Sequence, residues 1–298
     1  MLHRPKRIDI HDLWISEADD AYTAPIVRPV SSACSEFSDV AAHVMKWMTR
    51  QPAVGEESLT DWLLYELSER ISWIHYRKFT RYAESRETGA DWEWWFVATD
   101  GAIGARVQAK KVVDGDDQYR GLAHTSRSGL QIELLLESAR SRSLLPLYAS
   151  YYAPKSTPQV RCGARTPPGR AEGVFIGDAQ LVYTSFIQAG RKSVAATDLV
   201  SDSNPLACFV CCPLTLGRGP GQRMWEFFTS YYPAAVQVAL GESPSAELGR
   251  PHPPTYVLSL LETQSVEGVD DQFERQYSEA LADVNGLVIF DLREATTG

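Results

Sequence analysis

Asp91 is followed along the chain by Gln108-Ala109-Lys110. These are a carboxylate, an amide and an amine that can meet if the segment between them folds back. A hard divalent cation such as Mg2+ takes oxygen ligands and keeps several of its waters. Asp91 can bind such an ion and the Gln108 side-chain carbonyl can complete its shell. Lys110 can orient a metal-bound water or steady a pentavalent phosphate. Phosphodiester hydrolysis needs a metal-generated nucleophile and a neutralised developing charge. Alone, Asp91 with Gln108-x-Lys110 is a short pattern, and a solvated hairpin face with Lys110 and Lys111 exposed would produce it as well. The surrounding elements decide its weight.

The intervening text, DWEWWFVATDGAIGARVQAKK, reads as a hairpin. Asp91, Glu93 and Trp95 share one strand face, and Trp92 and Trp94 take the other. The Asp-Gly step marks the turn. On the return arm Arg106, Gln108 and Lys110 alternate with Val107 and Ala109. Glu93 shares the Asp91 face, so it is a further candidate ligand or the partner of a basic neighbour. Upstream, Ser58 with Asp61 has the form of a capping box. Leu59, Leu63, Leu67, Ile71 and Ile74 then recur at near-helical spacing, which predicts a helix of roughly 13–18 residues. WIHYRKF at its end has strand character. Glu56 and Glu57 sit at the helix start and can add a carboxylate to the site. Helical phase puts Glu56 on the side of Leu59 and Leu63 and Glu57 at the edge of that face. With Ser58 as cap both precede the helix and phase does not choose, so both are candidate metal ligands and Glu57 a candidate catalytic carboxylate. Downstream, GLQIELLLESARSRS predicts a second helix with Leu130, Leu134 and Leu135 in its apolar stripe. LLPLYASYY then predicts a buried strand, with Pro146 ending the helix. The order is helix, two or three strands, helix, strand, which is a mixed α/β unit of ordinary domain size.

The pattern Glu…Asp…(Glu/Gln)-x-Lys on helix–hairpin–helix–strand resembles the PD-(D/E)xK nuclease superfamily. The Gln-x-Lys form resembles its Mrr-type restriction-endonuclease branch, in which a glycine-rich segment precedes the Asp. The wider text GADWEWWF…VQAKK…GLQ…PLY also resembles an uncharacterised bacterial family with that core. The resemblance covers roughly residues 56–152. It implies an α/β fold with a restriction-endonuclease-like core, Mg2+ or Mn2+ as cofactor, and DNA or RNA as partner. It matches Asp91 to the metal-binding Asp, Gln108 to the second ligand and Lys110 to the catalytic lysine. Gln131, in the following helix, matches a polar position kept near the site. Restriction or anti-phage defence is the setting the branch implies, with a homo-oligomer or a defence protein as partner. Two departures stand out. No Pro precedes Asp91, and Gln replaces the commoner Glu, which leaves one negative charge fewer for a metal. The second departure opens an alternative: a catalytically degenerate nuclease fold acting as a nucleic-acid-binding or scaffold subunit.

Three regions follow from this reading. They are an N-terminal extension, 1–55, with a short helix around Ser38–Arg50; the nuclease-like core, 56–154; and a C-terminal α+β region, 155–298, that wraps the core or forms a second domain. Residues 155–173, rich in Pro, Gly and Arg, read as a linker or loop. Beyond them GVFIGDAQLVYTSF, ACFVCCPLTL, PTYVLSLL and GLVIFDL read as strands and WEFFTSYY as a helix.

Composition narrows the class. The chain has 298 residues, 44% hydrophobic and 22% charged, as in an ordinary globular protein. No run of some 18 apolar residues suggests a membrane span. The basic N-terminus has no apolar core behind it and so does not read as a secretion signal. Five cysteines, odd in number and thinly spread, read as reduced thiols of a cytoplasmic protein. A net charge of −9, with neither half of the chain basic, excludes bulk attraction to nucleic acid and asks for a local basic patch. Arg77, Lys78, Arg81 and Arg86 are the candidates for it. Trp92, Trp94 and Trp95 can stack bases, although core packing is the favoured reading. Cys208-Phe-Val-Cys211-Cys212 lacks the second ligand pair of a structural zinc site and reads as buried thiols. His75, His124 and His252 lack HExxH spacing. Glu84 and Glu87 read as loop carboxylates, and Gly101–Gly104 as a turn without the Lys of a phosphate loop.

Overall fold

The computed structural model describes residues 30–79, 89–112, 117–153, 160–161, 173–210, 220–241, 252–263 and 270–295. Helix α1 (Val30–Arg50) precedes α2 (Glu56–Arg70) and strand β1 (Ile74–Lys78). The hairpin follows as β2 (Trp92–Ala98) and β3 (Gly101–Lys111), and then come α3 (Gln131–Arg142) and a strand at Leu145–Tyr151. Further strands lie at Val174–Asp178, Asn204–Pro205 and Gly286–Asp291. Helices Pro220–Tyr231, Pro233–Leu240 and Thr255–Thr263 pack around them.

Among the described residues the main sheet has seven strands and is mixed. β2 pairs antiparallel with β3, and β3 pairs parallel with Leu145–Tyr151. Strand Gly286–Asp291, near the end of the chain, lies between β1 and β2, antiparallel to the first and parallel to the second. Gly286 makes this insertion sterically feasible, because a Cβ there would lie 2.0 Å from the Trp92 ring.

β2 and β3 are central strands covered on both faces, which is why apolar residues fill both alternating sets. Trp92, Trp94, Phe96, Val107 and Ala109 join one core with Phe37 of α1, Leu59 and Leu63 of α2, and Phe227 and Phe228. Trp95 and Val97 join the other core with Ile132, Leu135 and Ala139 of α3 and with Val257 and Leu260. The alternation expected of the hairpin is therefore observed, and the three tryptophans are buried core residues.

Several local expectations change. Gly55, not Ser58, occupies the N-cap of α2, and no side chain caps it. The Asp61 carboxylate bonds the Lys78 ammonium instead, so the expected capping box does not form. Helix α1 begins well before Ser38. α3 ends at Ser143, whose left-handed φ of 56° lets its N–H turn back to the Ala139 and Arg140 carbonyls, and Pro146 lies inside the next strand. In GVFIGDAQLVYTSF only Val174–Asp178 is strand, because the Asp178 carboxylate accepts the Leu181 N–H and starts a helix. In ACFVCCPLTL residues 208–210 are helical, while Cys211 and Cys212 lie outside the described residues. PTYVLSLL forms helix Thr255–Thr263, started by N–H bonds from Val257 and Leu258 to Pro254 O. Its Tyr256, Val257 and Leu260 share a buried side at helical spacing. Cys208 is a free buried thiol, but Cys34 is disulfide-bonded, to a cysteine outside the described residues. The expectation of reduced thiols throughout is thereby corrected; sequence spacing does not show which cysteines approach to bonding distance.

Candidate active site

Asp91 sits just before β2, and its backbone is fixed from both sides. Its N–H donates to Val107 O (2.9 Å), and its C=O accepts the Asn285 N–H (2.8 Å). The side chain turns onto β3, where Oδ2 accepts the Ala109 N–H at 2.8 Å. Among the described residues Oδ1 has no hydrogen-bond partner. Gly89 permits this approach. Its φ is +68°, and a Cβ there would meet the Gln131 carbonyl oxygen at 2.1 Å and the Leu135 nitrogen at 2.9 Å. The chain leading to Asp91 thus passes directly over the first turn of α3, a path that only glycine allows.

Lys110 lies on the same face of β3, 6% exposed. Its Nζ donates to Gln131 Oε1 at 2.9 Å. Gln131 therefore holds the amine. Glu56 reaches the far end of β3, where its Oε1 accepts the Lys111 N–H at 2.9 Å. The Lys111 ammonium bonds back to the Pro52 carbonyl at 2.9 Å and to the Val54 carbonyl, clamping the start of α2 to the strand end. Burial pushes the Asp91 carboxyl up to about 6; the Lys110 charge and the Ala109 N–H oppose the rise, while Glu56 and Glu57 add to it. Asp91, Lys110 and Glu56 therefore act on each other electrostatically.

Gln108 is fully buried, and among the described residues neither its Oε1 nor its Nε2 has a hydrogen-bond partner. It pairs in register with Tyr148 on the neighbouring parallel strand. The Tyr148 hydroxyl is likewise buried and unpartnered among the described residues. Burial, then the charges of Asp91 and Glu56, push that phenol well above its ordinary range. A buried polar group left unpaired costs on the order of 1–3 kcal/mol, and a water or ligand oxygen between these two would remove that cost.

The other candidates fall elsewhere. Glu57 turns away to Lys78, 3.2 Å from its Nζ. Glu93 is fully buried and bonded to Trp95 Nε1 and the Tyr256 hydroxyl, both at 2.6 Å, and to Arg106 at 3.0 Å. Of its two readings as ligand or ion-pair partner, the structure realises the second. Arg77 lies over the Phe273 ring, and Lys78 is held by Glu57 and Asp61. Both therefore have protein partners. Arg81, Glu84, Arg86 and Glu87 lie outside the described residues. Tyr148 is the residue that sequence reasoning missed: PLY reads as buried strand, and only register with Gln108 exposes its role.

Among the described residues no three His, Cys, Asp or Glu side chains converge on one point. A cation bound here would have two carboxylates to draw on, Asp91 and Glu56, with the Gln108 carbonyl as neutral third donor. All are hard oxygen donors, as Mg2+ and Mn2+ prefer. The orphaned Gln108 amide fits such an ion, which would occupy its open lone pairs.

Fold and site together define an α/β protein with a mixed central sheet and a polar, partly unsatisfied cluster at the hairpin base. Residues 31–295 match a family described as a family of unknown function, DUF6615, and the chain belongs to that family. No curated protein and no solved structure matches it significantly. No helix among the described residues is long and apolar enough to cross a membrane.

Proposed function

We propose that the protein is a Mg2+- or Mn2+-dependent nuclease with a restriction-endonuclease-like core that hydrolyses phosphodiester bonds in DNA. One observation carries this reading: the Asp91 carboxylate and the buried Lys110 ammonium meet on one face of the hairpin beside a Gln108 amide with no partner among the described residues. When bound, the metal supplies an activated water and charge neutralisation. Asp91 and Glu56 would hold the ion, and Gln108 would contribute its side-chain carbonyl. Lys110, oriented by Gln131, places a fixed positive charge where negative charge develops on the phosphate. The lysine is held in advance, so little reorganisation is needed at the moment of reaction.

The test is cleavage of plasmid and linear DNA with Mg2+ or Mn2+, comparing wild type with Asp91→Ala and Lys110→Ala. Cleavage by the wild type and its loss in both variants supports the reading; equal cleavage by all three overturns it. A second reading draws on the neutral Gln108 and the absence of a third acidic ligand among the described residues. It is a degenerate nuclease fold that binds nucleic acid without cutting. Calorimetric titration with Mn2+ separates the two, because an active site takes up the metal and Asp91→Ala abolishes that uptake.

A further inference from the structure

The orphaned groups beside Asp91 form a pair. Gln108 and Tyr148 occupy one register position on adjacent parallel strands, so their side chains stand side by side on one face. Both are fully buried, and the amide and the hydroxyl lack partners among the described residues. One residue further along each strand pair on that face, Lys110 stands opposite Ser150, and the Ser150 hydroxyl faces that of Tyr119. Hydroxyls and an amide thus stand together on this face, beside the charged groups of Asp91 and Lys110. A dry apolar interior would leave these groups at a loss. Each can donate to or accept from a water molecule.

We infer that the Tyr148 hydroxyl, with the Gln108 Nε2, is an outer-sphere clamp on the water shell of a bound divalent cation. This rests on the proposed metal-dependent reading and deepens it. Mg2+ and Mn2+ retain several waters when few protein oxygens bind them. A site with two carboxylates and one amide oxygen leaves such waters in place. Groups that hydrogen-bond a metal's immediate ligands tune its affinity, and their removal costs about 10–100-fold. Tyr148 is then a positioning residue that acts through water and not on the phosphate. These neutral groups offer hydrogen bonds where the described residues supply no third carboxylate.

The test uses the full chain and Mn2+ alone. In the metal-free protein Tyr148→Phe removes a hydroxyl that has no protein partner among the described residues, so its melting temperature is expected to equal or exceed that of wild type. Its Mn2+ affinity, measured by calorimetry, is expected to fall about 10–100-fold. Tyr151→Phe is the control. Tyr151 donates to Thr60 Oγ1 at 2.9 Å in the opposite core, so this variant is expected to melt lower and to keep its Mn2+ affinity within about twofold, since the lost bond is a structural one. A Tyr148→Phe protein that melts lower with unchanged Mn2+ affinity overturns the inference, for the hydroxyl then holds an ordinary structural water. If wild type binds Mn2+, Asp91→Ala does not, and Tyr148→Phe matches wild type, the clamp fails and the nuclease reading stands. If wild type shows no Mn2+ response, both fail together.

Discussion

The hairpin carries two polar constellations on the same face, and they differ in how their charges are paired. In the first, Glu93 on β2 faces Arg106 directly across on β3, at 3.0 Å. Arg106 also reaches Asp283 (3.0 Å), and Asp283 reaches Arg142 (3.4 Å). Tyr256 and Trp95 donate to the Glu93 carboxylate. This network ties the hairpin to α3, to helix Thr255–Thr263 and to the segment before the Gly286–Asp291 strand. In the second, one turn of the alternation away, Asp91, Gln108 and Lys110 share few bonds, and the Gln108 amide has no protein partner among the described residues. The same alternation and burial produce a closed ion pair at one end and an open cluster at the other. The closed end is held by ion pairs and by donors on Trp95 and Tyr256, and the open end keeps a buried amide with no protein partner among the described residues.

The largest expected effect tests the closed end. Arg106→Leu leaves the fully buried Glu93 carboxylate without its cation, and breaking a buried pair by removing one partner costs about 3–5 kcal/mol. Denaturant unfolding of Arg106→Leu should therefore lose a large part of the stability. Replacing both partners at once, with Glu93→Leu added, should recover much of that loss, because a well-packed apolar pair often equals a buried ion pair. Lys110→Ala should invert this pattern. A fixed donor for developing charge is worth about 10²–10³ in rate, so DNA cleavage should fall by that factor. Folding should lose no more than about 2 kcal/mol, the scale of one charged hydrogen bond to Gln131.

The open end should also show as a cost in the metal-free protein. Burial raises the Asp91 carboxyl from 3.8 to about 6. Between those values the folded chain binds a proton that the unfolded chain has released. Stability is therefore greatest at low pH for this group, falls as pH rises through that window, and has lost about 3 kcal/mol above it. Asp91→Asn keeps an oxygen for the Ala109 N–H and removes the titration. In EDTA the variant should melt a few degrees above wild type at pH 8, and the gap should close by pH 4. A variant that melts below wild type at pH 8 would place Asp91 among the closed, structural groups.

The two ends were unequally legible in the sequence. Side chains alternate along a strand with period two, so spacing placed Asp91 with Glu93 on one side of the first arm and Arg106, Gln108 and Lys110 on one side of the second; that the two sets share a face needed the register. Alternation alone does not say which carboxylate finds an arginine; that depends on register, and Glu93↔Arg106 pairing is set by the length of the turn. The insertion of Gly286–Asp291 between β1 and β2 was not legible, because a parallel pairing across most of the chain leaves no local signal. Helix Thr255–Thr263 was misread as strand because its short apolar run fits either period. Tyr148 was hidden for a similar reason: within a buried strand its ring accounts for its burial and its hydroxyl goes unnoticed.

The smallest effect concerns the pair that phase did not separate. With Gly55 as N-cap, both glutamates lie in the first turn of α2, but they leave it in different directions. Glu56 bonds the Lys111 N–H at the end of β3, next to Asp91, while Glu57 pairs with the half-exposed Lys78 on the flank. An exposed ion pair contributes about 0–1 kcal/mol, so Glu57→Gln should leave both melting and Mn2+ affinity close to wild type. Glu56→Gln keeps an oxygen for the Lys111 N–H, so its folding should change equally little. It removes one of the two carboxylates proposed to hold the cation, however, and its Mn2+ affinity should fall measurably while that of Glu57→Gln does not. The reverse result would mean that the helix start rotates when metal binds. Glu57 would then be the ligand, and the ion pair to Lys78 only its resting place.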